Sequence, residues 1–134
     1  MFELDERLAN DTAFVGDMPL SRVLLMNDAR FPWAVLVPRR TGLVEFHDLS
    51  ADDRRDMMEE AGAVSAALQK LTGASKMNVA MLGNVVRQLH VHVVARFEHD
   101  DAWPRPIWAI GTALAYAEGE AEACAAALKD ALGI

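Results

Sequence analysis

The chain has 134 residues, 52% of them hydrophobic and 25% charged, and carries a formal net charge of −7. That length is enough for one domain with a real core, and the acidic balance argues against a general nucleic-acid binder, which usually carries a basic patch. One cysteine, Cys124, excludes an internal disulfide framework and fits a reducing cytoplasm, and no apolar run approaches the roughly 20 residues needed to span a bilayer.

The opening residues Met1-Phe2-Glu3-Leu4-Asp5-Glu6 lack a basic region followed by an apolar run, so no signal peptide is expected and the protein is read as cytoplasmic. From Glu3 to about Ala9 the spacing of Leu4 and Leu8 predicts a short amphipathic helix, broken at Asn10-Asp11-Thr12. Three short strands follow, at Ala13 to Val15, Ser21 to Met26 and Trp33 to Val37, the last stopped by Pro38. Their short connections predict an antiparallel meander. Ser50 is a good N-cap, with Asp52 and Asp53 in the first turn where the helix dipole favours acids. The stripe Met57, Ala61, Val64, Leu68 and Leu71 then predicts a long helix that Gly73 terminates.

Lys76 to Leu82 reads as a strand, Gly83-Asn84 as a turn, and Val85 to Phe97 as the central strand. Within it Leu89, Val91, Val93 and Ala95 fall on one face and Gln88, His90 and His92 on the other. Two imidazoles therefore stand side by side, ~7 Å apart along the strand. A strand is stiff enough to aim their nitrogens at a ligand. Residues 98–106, with His99, Trp103 and two prolines, read as an ordered loop, and Ile107 to Ile110 as a short apolar segment carrying Trp108. A last helix spans about Glu118 to Leu132, with Ala121, Cys124, Ala125, Leu128 and Leu132 inward. The sum is one α+β domain over residues 1–134: a small antiparallel sheet with a short N-terminal helix, one long helix and a C-terminal helix.

The run Gln88-Leu89-His90-Val91-His92-Val93-Val94, ending in Arg96, resembles the signature of the histidine triad (HIT) superfamily, in which three histidines alternate with apolar residues on a strand. Gly83-Asn84-Val85-Val86-Arg87 is similar to the family's glycine-glutamine-serine/threonine-valine lead-in, and Phe46-His47-Asp48-Leu49 to the stretch before the long helix of fragile-histidine-triad-type dinucleotide hydrolases. The resemblance covers about residues 1–97 and leaves the C-terminal flap and helix, about 98–134, unmatched. It implies a nucleotide phosphohydrolase or nucleotidyl transferase in which His90 attacks the α-phosphorus to give a nucleotidyl-histidine. It also implies that His92 contacts phosphate and leaving group and that Gln88 stands at the first triad position. Asn27, Gly83, Asn84 and Val85 would bind the nucleotide, Asn27 at the ribose. His99, Trp103 and Trp108 are candidates for specificity. The implied partners are a purine nucleotide or nucleotide conjugate and a second copy of the chain. No cofactor, metal, membrane or nucleic-acid polymer is expected.

The chemistry stands independently, because neutral imidazole is nucleophilic near pH 7 and a neighbouring imidazole suits proton transfer. Backbone amides of the Gly83 turn could hold phosphate oxygens as charge develops. Several positions depart from the family pattern: Gln88 replaces the first histidine, Trp33 the histidine opening the third strand, Asn84 the glutamine, Val85 the hydroxyl residue and Ala95 the proline. Three other readings compete. The histidines could be an ordinary half-buried pair, the fold could bind nucleotides without catalysis, or the His-x-His pair could chelate a metal. Glu98 follows at nearly the cupin offset, yet a cupin needs a further histidine and is nearly all strand. His47 reads as a loop or capping residue, Arg96 as a structural ion pair or interface residue, and Cys124 as a small buried hydrophobe.

Overall fold

The computed structural model describes residues 1–134. In chain order the elements are α1 (Glu6–Asp11), β1 (Thr12–Asp17), β2 (Ser21–Met26), β3 (Trp33–Pro38), α2 (Ala51–Thr72), β4 (Lys76–Ala80), β5 (Val91–Arg96) and α3 (Glu120–Leu132). A single 3-10 turn, Phe46–Asp48, precedes α2. The strands form one five-stranded antiparallel sheet in the order β1-β2-β3-β5-β4. The expected α+β fold and the meander of the first three strands are present.

Capping decides where the helices begin. The Asp5 carboxylate accepts from the Arg7 amide at 2.8 Å, so α1 starts three residues later than its apolar spacing suggests, and it runs through both Asn10 and Asp11, where the sequence predicts a break. Ser50 Oγ accepts from the Asp53 amide at 3.1 Å at the start of α2, and Gly73 ends it in the left-handed region that only glycine enters cheaply, at φ +71°. Met57, Ala61, Val64 and Leu68 are buried as predicted, whereas Leu71 in the last turn stays exposed, at the rim of an apolar cavity shared with Tyr116 and Cys124. The same helix buries Glu60, whose carboxylate accepts from the Leu20 and Ser21 amides at 2.8 and 2.9 Å. In α3, Ala121, Ala125 and Leu128 are buried, but Cys124 is exposed. At 3.6 residues per turn it lies about 70° from the centre of that stripe, on its flank rather than inside it.

Both long helices pack on one face of the sheet, where Val23, Leu25, Leu36, Val91, Val93 and Ala95 join Val64, Leu68 and Leu128 in the main core. The opposite face is covered by other segments. There Leu24, Val35 and Val37 pack against Leu8 and the N-terminal residues, and Val94 packs with Phe31, Ala102 and Ile107. The alternation read from the sequence is therefore real, with Leu89, Val91, Val93 and Ala95 towards the helices.

The central strand is shorter than expected. Only Val91–Arg96 pairs: the ladder with β3 ends at Leu36 opposite Val91, although β3 itself runs on to Pro38, and β4 ends at Ala80 opposite His92. Residues before Val91 pair with neither strand. The segment 81–90 instead leaves the sheet as an irregular loop, tied back by the Leu89 amide to the Leu43 carbonyl at 3.0 Å. It turns tightly at Gly83, where a Cβ would sit 3.1 Å from the Val86 carbonyl oxygen.

Candidate functional site

His90 and His92 lie at the point where this loop feeds into β5, on the face away from the helices. Each is only 4% exposed, and their rings meet edge to face with centroids 4.7 Å apart. Beside His90 opens a cavity of about 550 Å³, lined also by Val44, Glu45, Phe46, Gly83, Asn84 and Arg87. The loop 81–90, too irregular to join the sheet, forms one wall. None of the Gly83, Asn84 or Val85 amides donates a hydrogen bond within the protein, and Gly83 and Asn84 line the cavity whereas Val85 does not.

The two rings are fixed by different partners. His90 Nδ1 lies 2.6 Å from the Gln88 carbonyl oxygen. A carbonyl can only accept, so this nitrogen carries the proton and Nε2 keeps its lone pair. His92 Nδ1 lies 2.9 Å from Trp33 Nε1. Indole N–H can only donate, so here Nδ1 holds the lone pair and the proton of the neutral ring sits on Nε2. The neighbouring imidazoles are opposite tautomers.

Sheet register explains the second contact. Val35 is directly opposite His92 and Trp33 opposite Val94, which makes Trp33 the diagonal neighbour of His92 on the same face, within reach of a long aromatic side chain. Trp108 closes the other side, its ring centroid 5.1 Å from His92 and 6.1 Å from Trp33. Burial, followed by the neighbouring His90, pushes the His92 pKa down to about 4, while the Leu82 backbone acts weakly in the other direction. His92 is thus neutral at pH 7. Its buried Nε2 makes no well-formed hydrogen bond within the protein, although the Leu82 backbone lies close enough to favour the protonated ring.

The other candidates fall into place around this pair. The Gln88 side chain turns away: its Oε1 accepts from the Asp5 amide and its Nε2 donates to the Glu3 carbonyl, each at 2.8 Å, so only its backbone carbonyl meets His90. Asn27 does not share the His90 cavity. It lines a second one, of about 370 Å³, with Asp28, Arg30, Trp33 and Trp108, and its Oδ1 accepts from the Tyr116 amide at 2.9 Å. Val85 is 75% exposed, and its carbonyl accepts from Arg7 Nη1 at 3.3 Å. His99 is exposed and stacks on Phe97 rather than on the histidine pair. Trp103 lies over the Arg96 guanidinium, 5.6 Å from its ring centroid. Of the three tail candidates, Trp108 alone touches a site histidine.

Arg96 is a buried structural residue, paired with Asp100 at 2.8 Å and bonded to Asn78 Oδ1 at 2.8 Å. His47 is exposed in the 3-10 turn. No group of three or more His, Cys, Asp or Glu side chains is gathered as a ligand set for a metal, so the His-x-His pair lacks a third donor of these types. Two features escaped the sequence reading. Trp33 looked like the loss of a hydrogen-bonding partner and is in fact a donor, and Arg87 proved to line the His90 cavity.

The HIT domain family model matches residues 7–99. Among solved structures, the chain is similar to a histidine triad protein from Bradyrhizobium japonicum, at 44% identity over 98% of each chain and a TM-score of 0.94. A histidine triad protein from Sinorhizobium meliloti is 45% identical over 96% of each chain, with a TM-score of 0.93. One from Marinobacter aquaeolei is 42% identical over 99% of this chain and 97% of that one, with a TM-score of 0.95. No curated protein matches the sequence. These likenesses reach through the C-terminal segment that the sequence alone left unassigned, and with the family model they place the chain in the histidine triad (HIT) family.

Proposed function

We propose that the protein is a nucleotide phosphohydrolase or nucleotidyl transferase acting at an α-phosphate through a nucleotidyl-histidine on His90. The observation that carries this reading is the 2.6 Å contact from His90 Nδ1 to the Gln88 carbonyl, beside a cavity large enough for a phosphate-bearing ligand. Proton placement on Nδ1 leaves Nε2 as the nucleophile, so no base is needed to activate it. Gln88 takes part through its main chain. His92 presents a buried N–H at Nε2, suited to a phosphate oxygen. The free amides of Gly83, Asn84 and Val85 suit the charge that develops on phosphorus oxygens. Asn27, Trp33 and Trp108 line the separate cavity that suits the nucleoside of a purine nucleotide, with Trp108 as its specificity residue.

The test is His90→Ala. Turnover of a nucleotide substrate should vanish while nucleotide affinity stays within about tenfold. Attack needs the imidazole only as the reaction proceeds, whereas ground-state binding is spread over the turn, His92 and the nucleoside cavity. Mass spectrometry of quenched wild-type reactions should find the nucleotidyl mass on His90. Binding without turnover in both proteins, and no adduct, would instead make this a nucleotide-binding protein that has lost its chemistry. Turnover that persists in the variant would remove His90 from the nucleophile's role.

A further inference from the structure

We propose that Trp33 is a positioning residue that holds His92 as a fixed hydrogen-bond donor unable to protonate a leaving group, so that the site favours leaving groups that depart as anions, phosphate chains rather than amines. The substrate half of this rests on His90 being the nucleophile; the tautomer half does not. Trp33 Nε1–H occupies the Nδ1 lone pair of His92 at 2.9 Å, and the remaining proton on Nε2 is buried with the Leu82 backbone nearby but no well-formed partner in the protein. A buried donor left unpaired is costly unless a ligand satisfies it. Trp108 packs against the same ring, which leaves the imidazole little freedom to flip.

A donor of this kind has a definite chemical limit. An imidazolium can give up a proton near neutral pH, but a neutral imidazole that gave up its Nε2 proton would become an imidazolate, which is far too basic to form here. Protonation of Nδ1 would require the indole N–H to give way. Burial and the adjacent His90 already disfavour that charge. The other charged or titratable groups nearby are Glu45 and Arg87 in the His90 cavity, and Asp11, Asp28 and Arg30 beyond Trp33 and Trp108. Asp28 and Arg30 are paired with each other at 2.8 Å, so neither offers a free charge to His92. Arg87 makes no ion pair or hydrogen bond within the protein and stands ready for an anion in the cavity of the nucleophile.

The steps balance without a proton from His92. His90 Nε2 forms a bond to the α-phosphorus as the bridging P–O bond breaks, and the electron pair leaves with the departing phosphate oxygen. His90 keeps its Nδ1 proton and carries the positive charge of the N-phosphorylated ring against the Gln88 carbonyl. Water then adds to phosphorus, the N–P bond returns its electron pair to Nε2, and the water's proton is lost to solvent. An amine leaving group would need a proton in the first step, and neutral His92 cannot release its Nε2 proton without becoming an imidazolate.

Two measurements test this. In protein labelled with ¹⁵N at histidine, His92 should show a protonated Nε2 and a lone-pair Nδ1 from pH 8 down to pH 5. Trp33→Phe, checked for folding by its thermal melt, should shift the His92 titration upward from about 4 and mix its tautomers. A wild-type His92 that is protonated at Nδ1 near pH 7, or a Trp33→Phe spectrum that matches wild type, would overturn the assignment to Trp33. In turnover, diadenosine tetraphosphate should give a higher kcat/KM than adenosine 5′-phosphoramidate. Trp33→Phe should lower kcat on the former by on the order of tenfold with little change in KM, and add a new ionisation to its pH profile. Equal or faster phosphoramidate cleavage would overturn the leaving-group half. Failure to cleave either compound would remove that half together with the hydrolase reading, and the nitrogen spectra would still decide what Trp33 does.

Discussion

At the scale of single residues, buried side-chain polar groups here are hydrogen-bonded, and the two exceptions are His92 Nε2 and Arg39 Nε. Asp100 is the best-satisfied carboxylate. It pairs with the Arg96 guanidinium through both oxygens and accepts from the amides of Phe97, Ala102 and Trp103. Burial alone would raise its pKa, but Arg96 and these amides outweigh it and hold the carboxyl well below the usual range. A depressed folded pKa contributes stability above the unfolded value and loses it as pH falls towards the folded one. Wild type should therefore lose stability progressively below about pH 4, and Asp100→Asn should flatten that part of the stability curve measured by denaturant titration. Asp100→Ala should cost about 3–5 kcal/mol, because it leaves Arg96 charged, buried and short of its partner. His99, its neighbour, is exposed, and His99→Ala should change neither stability nor turnover measurably.

At the scale of elements, α2 is anchored by chemistry at both ends and in the middle. Ser50→Ala removes the side-chain bond to the Asp53 amide and should cost ~1 kcal/mol in a thermal or denaturant melt. Glu60→Ala reaches further, because the carboxylate on this helix serves the amides of Leu20 and Ser21 at the start of β2. Two buried donors left without an acceptor should cost on the order of 2–4 kcal/mol. The loop 81–90 shows the opposite principle. Its residues alternate like a strand, yet they pair with neither β3 nor β4 and take a shape that walls the His90 cavity instead.

At the scale of the whole molecule, the sheet ends in an edge that invites pairing. β4 is the last strand on its side, and Val79, Met81 and Leu82 are 52%, 42% and 40% exposed, with Met58 of α2 at 65%. A homodimer that joins two sheets through β4 and α2 is the expected assembly, with two-fold symmetry. Light scattering should give twice the chain mass at micromolar concentration, and Val79→Lys should shift it towards the monomer. On the far side, the tail from 107 to 116 is strapped to the β2–β3 loop. The Ala29 amide donates to Leu114, Arg30 to the Ile110 carbonyl and the Tyr116 amide to Asn27. This strap holds Trp108 against His92.

Sequence alone determined what local chemistry controls. Ser50 and Gly73 bound α2 because caps act within one turn, and Leu89, Val91, Val93 and Ala95 face the helices because a strand alternates every two residues. The His90 and His92 pair was legible for the same reason, as was the family that carries it. What the sequence could not give depends on groups far apart in the chain. Trp33 meets His92 only through the register of β3 on β5, and Trp108 only through a tail strapped to residues 27–30. Gln88, similarly, was read as the substitute for a histidine side chain, yet that side chain binds the N-terminal backbone while its carbonyl sets the tautomer of His90. Residue type says which groups can donate and accept. Only the tertiary structure decides which of them meet, because a hydrogen bond depends on distances of a few tenths of an ångström between segments that no local pattern relates.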